Sequence, residues 1–92
     1  MKTTAVQLAV ALERIERGGV LALATVEISI AGVPITLQGL KLRRGLDGVM
    51  SVELPMFDHP SDGRITCIGL HDDLARGVVD EVIAAWERSA RA

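Results

Sequence analysis

From Val20 to Ile30 the side chains alternate without a break. Val20, Ala22, Ala24, Val26, Ile28 and Ile30 fall on one side of an extended chain, and Leu21, Leu23, Thr25, Glu27 and Ser29 on the other. A period of two over this length is the pattern of a strand with one buried face, and a helix cannot present it. Ala31-Gly32 follows as a turn, and Val33, Ile35 and Leu37 then alternate with Pro34, Thr36 and Gln38, so the two runs predict a hairpin. Pro34 has no N–H to give to a ladder and belongs at a strand start or on an edge. At Gly39 the alternation slips by one, from Leu37 to Leu40 and Leu42, and a glycine at a phase change predicts a β-bulge. Beyond it Lys41 and Arg43 share the face opposite Leu40 and Leu42. Gly45-Leu46-Asp47-Gly48 supplies turn residues, and Met50, Val52 and Leu54 alternate with Val49, Ser51 and Glu53 as a further strand. Pro55 to Gly63 reads as a loop closed by the tight turn Pro60-Ser61-Asp62-Gly63, and Arg64 to Ile68 as a short last strand.

From Asp72 the period becomes helical. Leu74, Val78, Val82 and Trp86 stand at i, i+4 spacing, flanked by Val79 and Ile83, which gives one apolar stripe behind an Asp72 or Asp73 N-cap. Gly77 inside this helix costs about 1 kcal/mol relative to alanine, and close packing against a sheet would account for it. The N-terminal stretch supports two readings. Thr4 with Gln7 resembles a capping box and the composition favours a helix from Ala5 to Arg17. Val6, Leu8, Val10 and Leu12 nevertheless alternate, and Arg17-Gly18-Gly19 runs into the next strand as a hairpin turn does.

A length of 92 residues sets the scale: one domain over residues 1–92, with a small core and a stability that oligomerisation would help. Hydrophobic residues make up 49% and charged residues 24%, the balance of a folded chain rather than a disordered one. No apolar run is longer than the five residues of Val20 to Ala24, far short of a membrane span, and Met1-Lys2-Thr3-Thr4 opens no signal peptide. Membrane and secreted readings are therefore not expected. Cys67 is the only cysteine, so no intramolecular disulfide can form and a reducing cytoplasm is the expected setting. The net charge is −2, but it is uneven: six basic residues against three acidic over residues 1–45, and four against nine over residues 46–92. A basic patch can therefore form on the first half, while the second half repels polyanions. Phe57 and Trp86 are the only aromatic rings, too few for a surface that stacks successive bases.

At this point the chain resembles the bacterial stage V sporulation protein G (SpoVG) family. The residues that carry the resemblance are Leu21-Ala22-Leu23-Ala24-Thr25-Val26, Leu40-Lys41-Leu42-Arg43, the Gly45-Leu46-Asp47-Gly48 turn and Val52-Glu53-Leu54-Pro55. The Pro60-Ser61-Asp62-Gly63 turn, Arg76-Gly77 and Val78-Val79-Asp80-Glu81-Val82 complete it, so that it runs from about Val6 to Trp86. It rests on the co-linear order of individually weak signals. The resemblance implies an α+β fold: an antiparallel sheet of four to five strands, one long C-terminal helix packed on it, and a homodimer joined through strands. It also implies a strand at the N-terminus, and a non-enzymatic DNA- or RNA-binding regulator tied to sporulation, septation and cell division. The chain departs from the family at two places. Met56-Phe57-Asp58-His59 stands where the family has a basic pair after Met-Pro, and Val78 stands where the family has a lysine. A protein-interaction module that kept the fold and lost nucleic-acid binding is accordingly the alternative.

The nucleic-acid-binding residues expected are Lys41, Arg43 and Arg44, the densest basic cluster, joined by Arg76. Doubled in a dimer, the cluster could span neighbouring phosphates; otherwise its charges guard a strand edge against aggregation. Arg88 and Arg91 share the helix with Asp72, Asp73, Asp80, Glu81 and Glu87, so a solvated helix face is the favoured reading there. His59, Cys67, His71, Asp72 and Asp73 include metal-ligating types at a spacing that fits no zinc motif, so no metal or other cofactor is expected. The same residues can be drawn as a Cys-His-Asp triad, but Cys67 alternates with Thr66 and Ile68 inside a strand, which predicts a buried, inert thiol. Asp58 and Asp62 are read as turn-forming aspartates. No phosphate loop or nucleophile elbow is present, and no catalytic residue is expected.

Overall fold

A computed structural model describes residues 6–91. Four strands, β1 (Val6–Arg17), β2 (Val20–Ile30), β3 (Val33–Arg44) and β4 (Met50–Glu53), form one antiparallel sheet in the order β1-β2-β3-β4. Strands β5 (Met56–His59) and β6 (Gly63–Thr66) make a separate two-stranded sheet, and helix α1 (Asp72–Arg91) packs on the larger one. The fold is α+β, with the antiparallel sheet and the single C-terminal helix that the sequence predicts.

Alternation decides the N-terminal segment: β1 is a strand, with Leu8 opposite Ile28, Val10 opposite Val26 and Leu12 opposite Ala24. Helix propensity yields because the partner strand rewards a period of two with apolar neighbours on one face. Thr4, half of the supposed capping box, lies outside the described residues. Two turns of two residues join β1 to β2 and β2 to β3. Gly18 and Gly19 both have positive φ, as do Ala31 and Gly32, the conformation that matches the twist of the flanking strands. Ala31 holds φ 50 without a glycine's freedom.

Gly39 forms the bulge its phase change predicts. Leu37 pairs with Val26 and Leu40 with Ala24, so Gln38 and Gly39 together face Thr25 alone, and Gly39 has φ +80. The extra residue keeps Leu37, Leu40 and Leu42 all on the helix side. They join Ala22, Ala24, Val26, Ile28, Val78, Val82 and Trp86 as the buried core, which contains no polar side chain.

Helix α1 begins one residue earlier in capping terms than expected. The His71 carbonyl accepts the Ala75 N–H at 2.8 Å, which puts His71 at the N-cap and Asp72 and Asp73 in the first turn, where their charges favour the helix dipole. The predicted stripe faces the sheet: Val78, Val82 and Trp86 are buried and Leu74 and Ile83 pack beside them. Gly77 is not forced by close packing. A Cβ there would meet only Leu8 Cδ1 at 3.7 Å, ordinary van der Waals contact. Gly77→Ala is expected to raise stability by about 0.5–1 kcal/mol in urea unfolding, the helix-interior difference between the two residues; a loss of stability would show that the position needs glycine.

The run from Pro55 to Gly63 is not all loop, as the sequence suggests, because Met56–His59 is a strand paired with Gly63–Thr66. His59 builds its turn: Nδ1 accepts the N–H groups of Ser61 at 3.2 Å and of Asp62 at 3.1 Å. The last strand ends at Thr66 rather than Ile68.

Candidate nucleic-acid interface

The bulge at Gly39 and the alternation after it decide where the basic residues point. Leu40 and Leu42 are fully buried under α1, so Lys41 and Arg43 face away from the helix, on the open side of the sheet. Lys41 pairs across the ladder with Leu23 on one side and Glu53 on the other, and Arg43 with Ser51. Glu53 therefore stands opposite Lys41 and reaches diagonally to Arg43. Its Oε2 lies 3.2 Å from Arg43 Nε, both side chains being about a third exposed. The approach is an ion pair but a poorly aligned one, since Arg43 Nε is buried without making a hydrogen bond of good geometry. At this exposure the pair is worth at most about 1 kcal/mol.

Arg44 alternates to the other side of the strand and is exposed at its end, where its backbone N–H donates to the Gly19 carbonyl at 3.2 Å and ties the strand end to the β1–β2 turn. Arg76 is exposed on α1, and the sheet stands between it and Lys41. The four basic residues therefore form a pair on the open face, one residue at the sheet's end and one on the helix layer. Arg88 is exposed further along the helix, and the side chain of Arg91 lies outside the described residues. A small nook beside Lys41, about 150 Å³, is closed by Gly39, Glu53, Pro55, Met56 and Arg64. Arg64 also approaches Asp58 at 3.5 Å across the hairpin.

Other residues singled out in the sequence do not converge. Cys67 is exposed, contrary to the buried thiol expected, because β6 stops at Thr66 and the chain leaves the hairpin there. Its N–H donates to the Pro55 carbonyl at 2.9 Å. His59 is engaged in its turn, with Asp62 Oδ2 3.6 Å from Nδ1, while His71 stands at the N-cap position of α1, its backbone carbonyl accepting the Ala75 N–H. Among the described residues, no group of three or more His, Cys, Asp or Glu is placed to hold a metal ion. No described helix is long and apolar enough to cross a membrane.

The residue that the sequence reading overlooked is Glu53. Its signal was present: counting back across the Gly45–Gly48 turn places it opposite Lys41. Exposed Met56 and Phe57 on β5 are the other feature of this end of the molecule. In comparisons with known proteins, no family model matches this chain, and no curated protein or solved structure does either.

Proposed function

We propose that this protein is a small non-enzymatic bacterial regulator of the cytoplasm that binds DNA or RNA as a homodimer, in the manner the SpoVG resemblance implies. The observation that carries this reading is the projection of Lys41 and Arg43 from the uncovered face of a rigid sheet, with Arg44 at the strand end. Cations held on strands keep their spacing, which suits them to a regular row of phosphates. Arg76 extends the surface only for a ligand long enough to pass round the sheet.

The test is fluorescence anisotropy of labelled duplex DNA and single-stranded RNA at low and moderate salt. Affinity is expected to fall steeply with salt, and the triple variant Lys41→Ala, Arg43→Ala, Arg44→Ala to weaken low-salt binding at least tenfold, while Arg76→Ala alone changes it less than threefold. Absence of binding at low salt would overturn the reading. A second reading, a protein-interaction module, is favoured by Glu53 opposite Lys41 and paired with Arg43 and by exposed Met56 and Phe57, and it becomes the working one if nucleic acid does not bind.

A further inference from the structure

Strand β1 is twelve residues long and hydrogen-bonded on one side only, to β2. An edge of this length normally carries a proline, a charge or a bulge that keeps other chains away. The other edge of the sheet complies, since β4 has four residues and ends on Glu53. In β1 the protection is confined to one end, where Glu13, Arg14, Glu16 and Arg17 cluster and the register shifts between Arg14 and Arg17. From Val6 to Leu12 the strand has no charge, no proline and no bulge.

Its side chains are also incompletely covered. Leu8, Val10 and Leu12 face the helix side but remain half-buried, and no residue of β1 is fully buried. Val6, 48% exposed, continues this row into a groove between the strand and the helix that Leu8, Leu74 and Gly77 line together with His71 and Asp73. The molecule is a slab 21 Å thick, with a radius of gyration of 14.3 Å where a compact chain of this length would have about 12 Å. What is left open at this edge is a row of backbone donors and acceptors above a line of aliphatic side chains, and a strand satisfies both.

We propose that the occupant is a second copy of β1, paired antiparallel about a two-fold axis at Val10, so that two sheets join into one of eight strands. The bulge-free stretch runs from Val6 to Arg14, and Val10 is its midpoint. In this register Leu8 faces the partner's Leu12 and Ala9 faces the partner's Ala11. At the ends Gln7 meets Glu13 and Val6 meets Arg14, so neither charge confronts its own copy. Moving the axis by one residue, to Ala11, would set Arg14 against Leu8 and Glu13 against Ala9. The stretch is self-complementary in apolar pattern and brings no like charges together, which a foreign strand would have to match by chance.

This inference deepens the homodimer part of the proposed function and is independent of nucleic-acid binding. It does place the two sites. An axis perpendicular to the sheet leaves both open faces on one side, with the two β3 strands five spacings apart, roughly 24 Å. Each Lys41–Arg43 pair then belongs to a common surface that one copy cannot supply.

The test uses Ala9→Cys and Ala11→Cys, each in a Cys67→Ser background, with circular dichroism to check that both fold. Residues directly opposite on antiparallel strands have Cβ atoms about 4.5–5.5 Å apart, within reach of a disulfide after mild oxidation. Mixing the two variants through an unfolding and refolding cycle is expected to give cross-linked heterodimer on non-reducing gels, at least fivefold above either variant alone. Sedimentation of the parent protein at micromolar concentration supplies the control. A dimer by sedimentation with no preference for the mixed pair overturns this edge and register while leaving the homodimer reading in place. A monomer overturns both.

Discussion

Deleting Gly39 is expected to abolish cooperative unfolding of this protein. The residue contributes no side chain, and nothing lies within 4 Å of where its Cβ would stand. Its contribution is the extra place in β3 that lets Leu37 and Leu40 both face the helix across Val26 and Ala24. Without it the pleat continues unbroken, and either Leu40 and Leu42 or Leu37 must turn to solvent. In the first case Lys41 and Arg43 enter the core. Two buried charges cost more than the roughly 5–10 kcal/mol of net stability available to a domain of this size. The control is Gly39→Ala, which keeps the residue count and adds only the strain of φ +80, a loss of about 1–3 kcal/mol. Thermal circular dichroism separates the two: a sharp melt for the alanine variant and none for the deletion. A deletion variant melting within a few degrees of the parent would show that the bulge does not hold the register.

Trp86→Ala is expected to cost about 3–5 kcal/mol, the usual loss for truncating a large buried aromatic. Trp86 is the largest side chain of the core and the only tryptophan, 7% exposed at the C-terminal end of the helix stripe. Its ring is roofed by Arg14, whose Cζ lies 4.4 Å from the ring centroid. Ser89 Oγ, 3.4 Å from Arg14 Nη2, in turn donates to the Trp86 carbonyl at 2.8 Å. Removing the ring leaves a hole and strips Arg14 of its partner, while Arg14→Ala removes a cation–π contact worth about 0.5–1 kcal/mol at such an exposed site, together with a long hydrogen bond to Ser89 and an exposed ion pair with Glu16 that add little. Urea unfolding followed by circular dichroism should therefore rank the two variants several-fold apart. Equal losses would mean that the roof, not the ring, holds the helix down.

Most of the fold was legible where physics is local. The alternation of Val20 to Ile30, the slip at Gly39 and the i, i+4 stripe from Leu74 to Trp86 each report a burial period directly, and each appears as read. The first strand was legible only in part, because Ala, Leu, Glu and Arg favour a helix in isolation and Ile28, Val26 and Ala24 decide the matter from another strand. Met56–His59 left no pattern: three of its four residues are exposed, and pairing with Gly63–Thr66 makes the strand without a buried face. Cys67 is exposed because β6 stops at Thr66 and the chain leaves the hairpin there, a strand end that no residue pattern marks. At the candidate site the parity of Lys41 and Arg43 was readable from Leu40 and Leu42. The intrusion of Glu53 and the separation of Arg76 depend on which strands are neighbours and which face the helix covers.

The helix that closes the core lies after every strand in the chain. During synthesis β1, β2 and β3 can zip through their two-residue turns as soon as they emerge, because each contact links near neighbours in sequence. Their apolar face, with Ala22, Val26, Ile28 and Leu42, then waits for residues 72–91, which at ~5–20 residues per second arrive seconds later. Through that interval the nascent chain presents a preformed sticky sheet rather than a loose coil. The order of elements thus makes the ribosome-bound stage, more than the finished protein, the point at which this sequence is most exposed to aggregation and to chaperones.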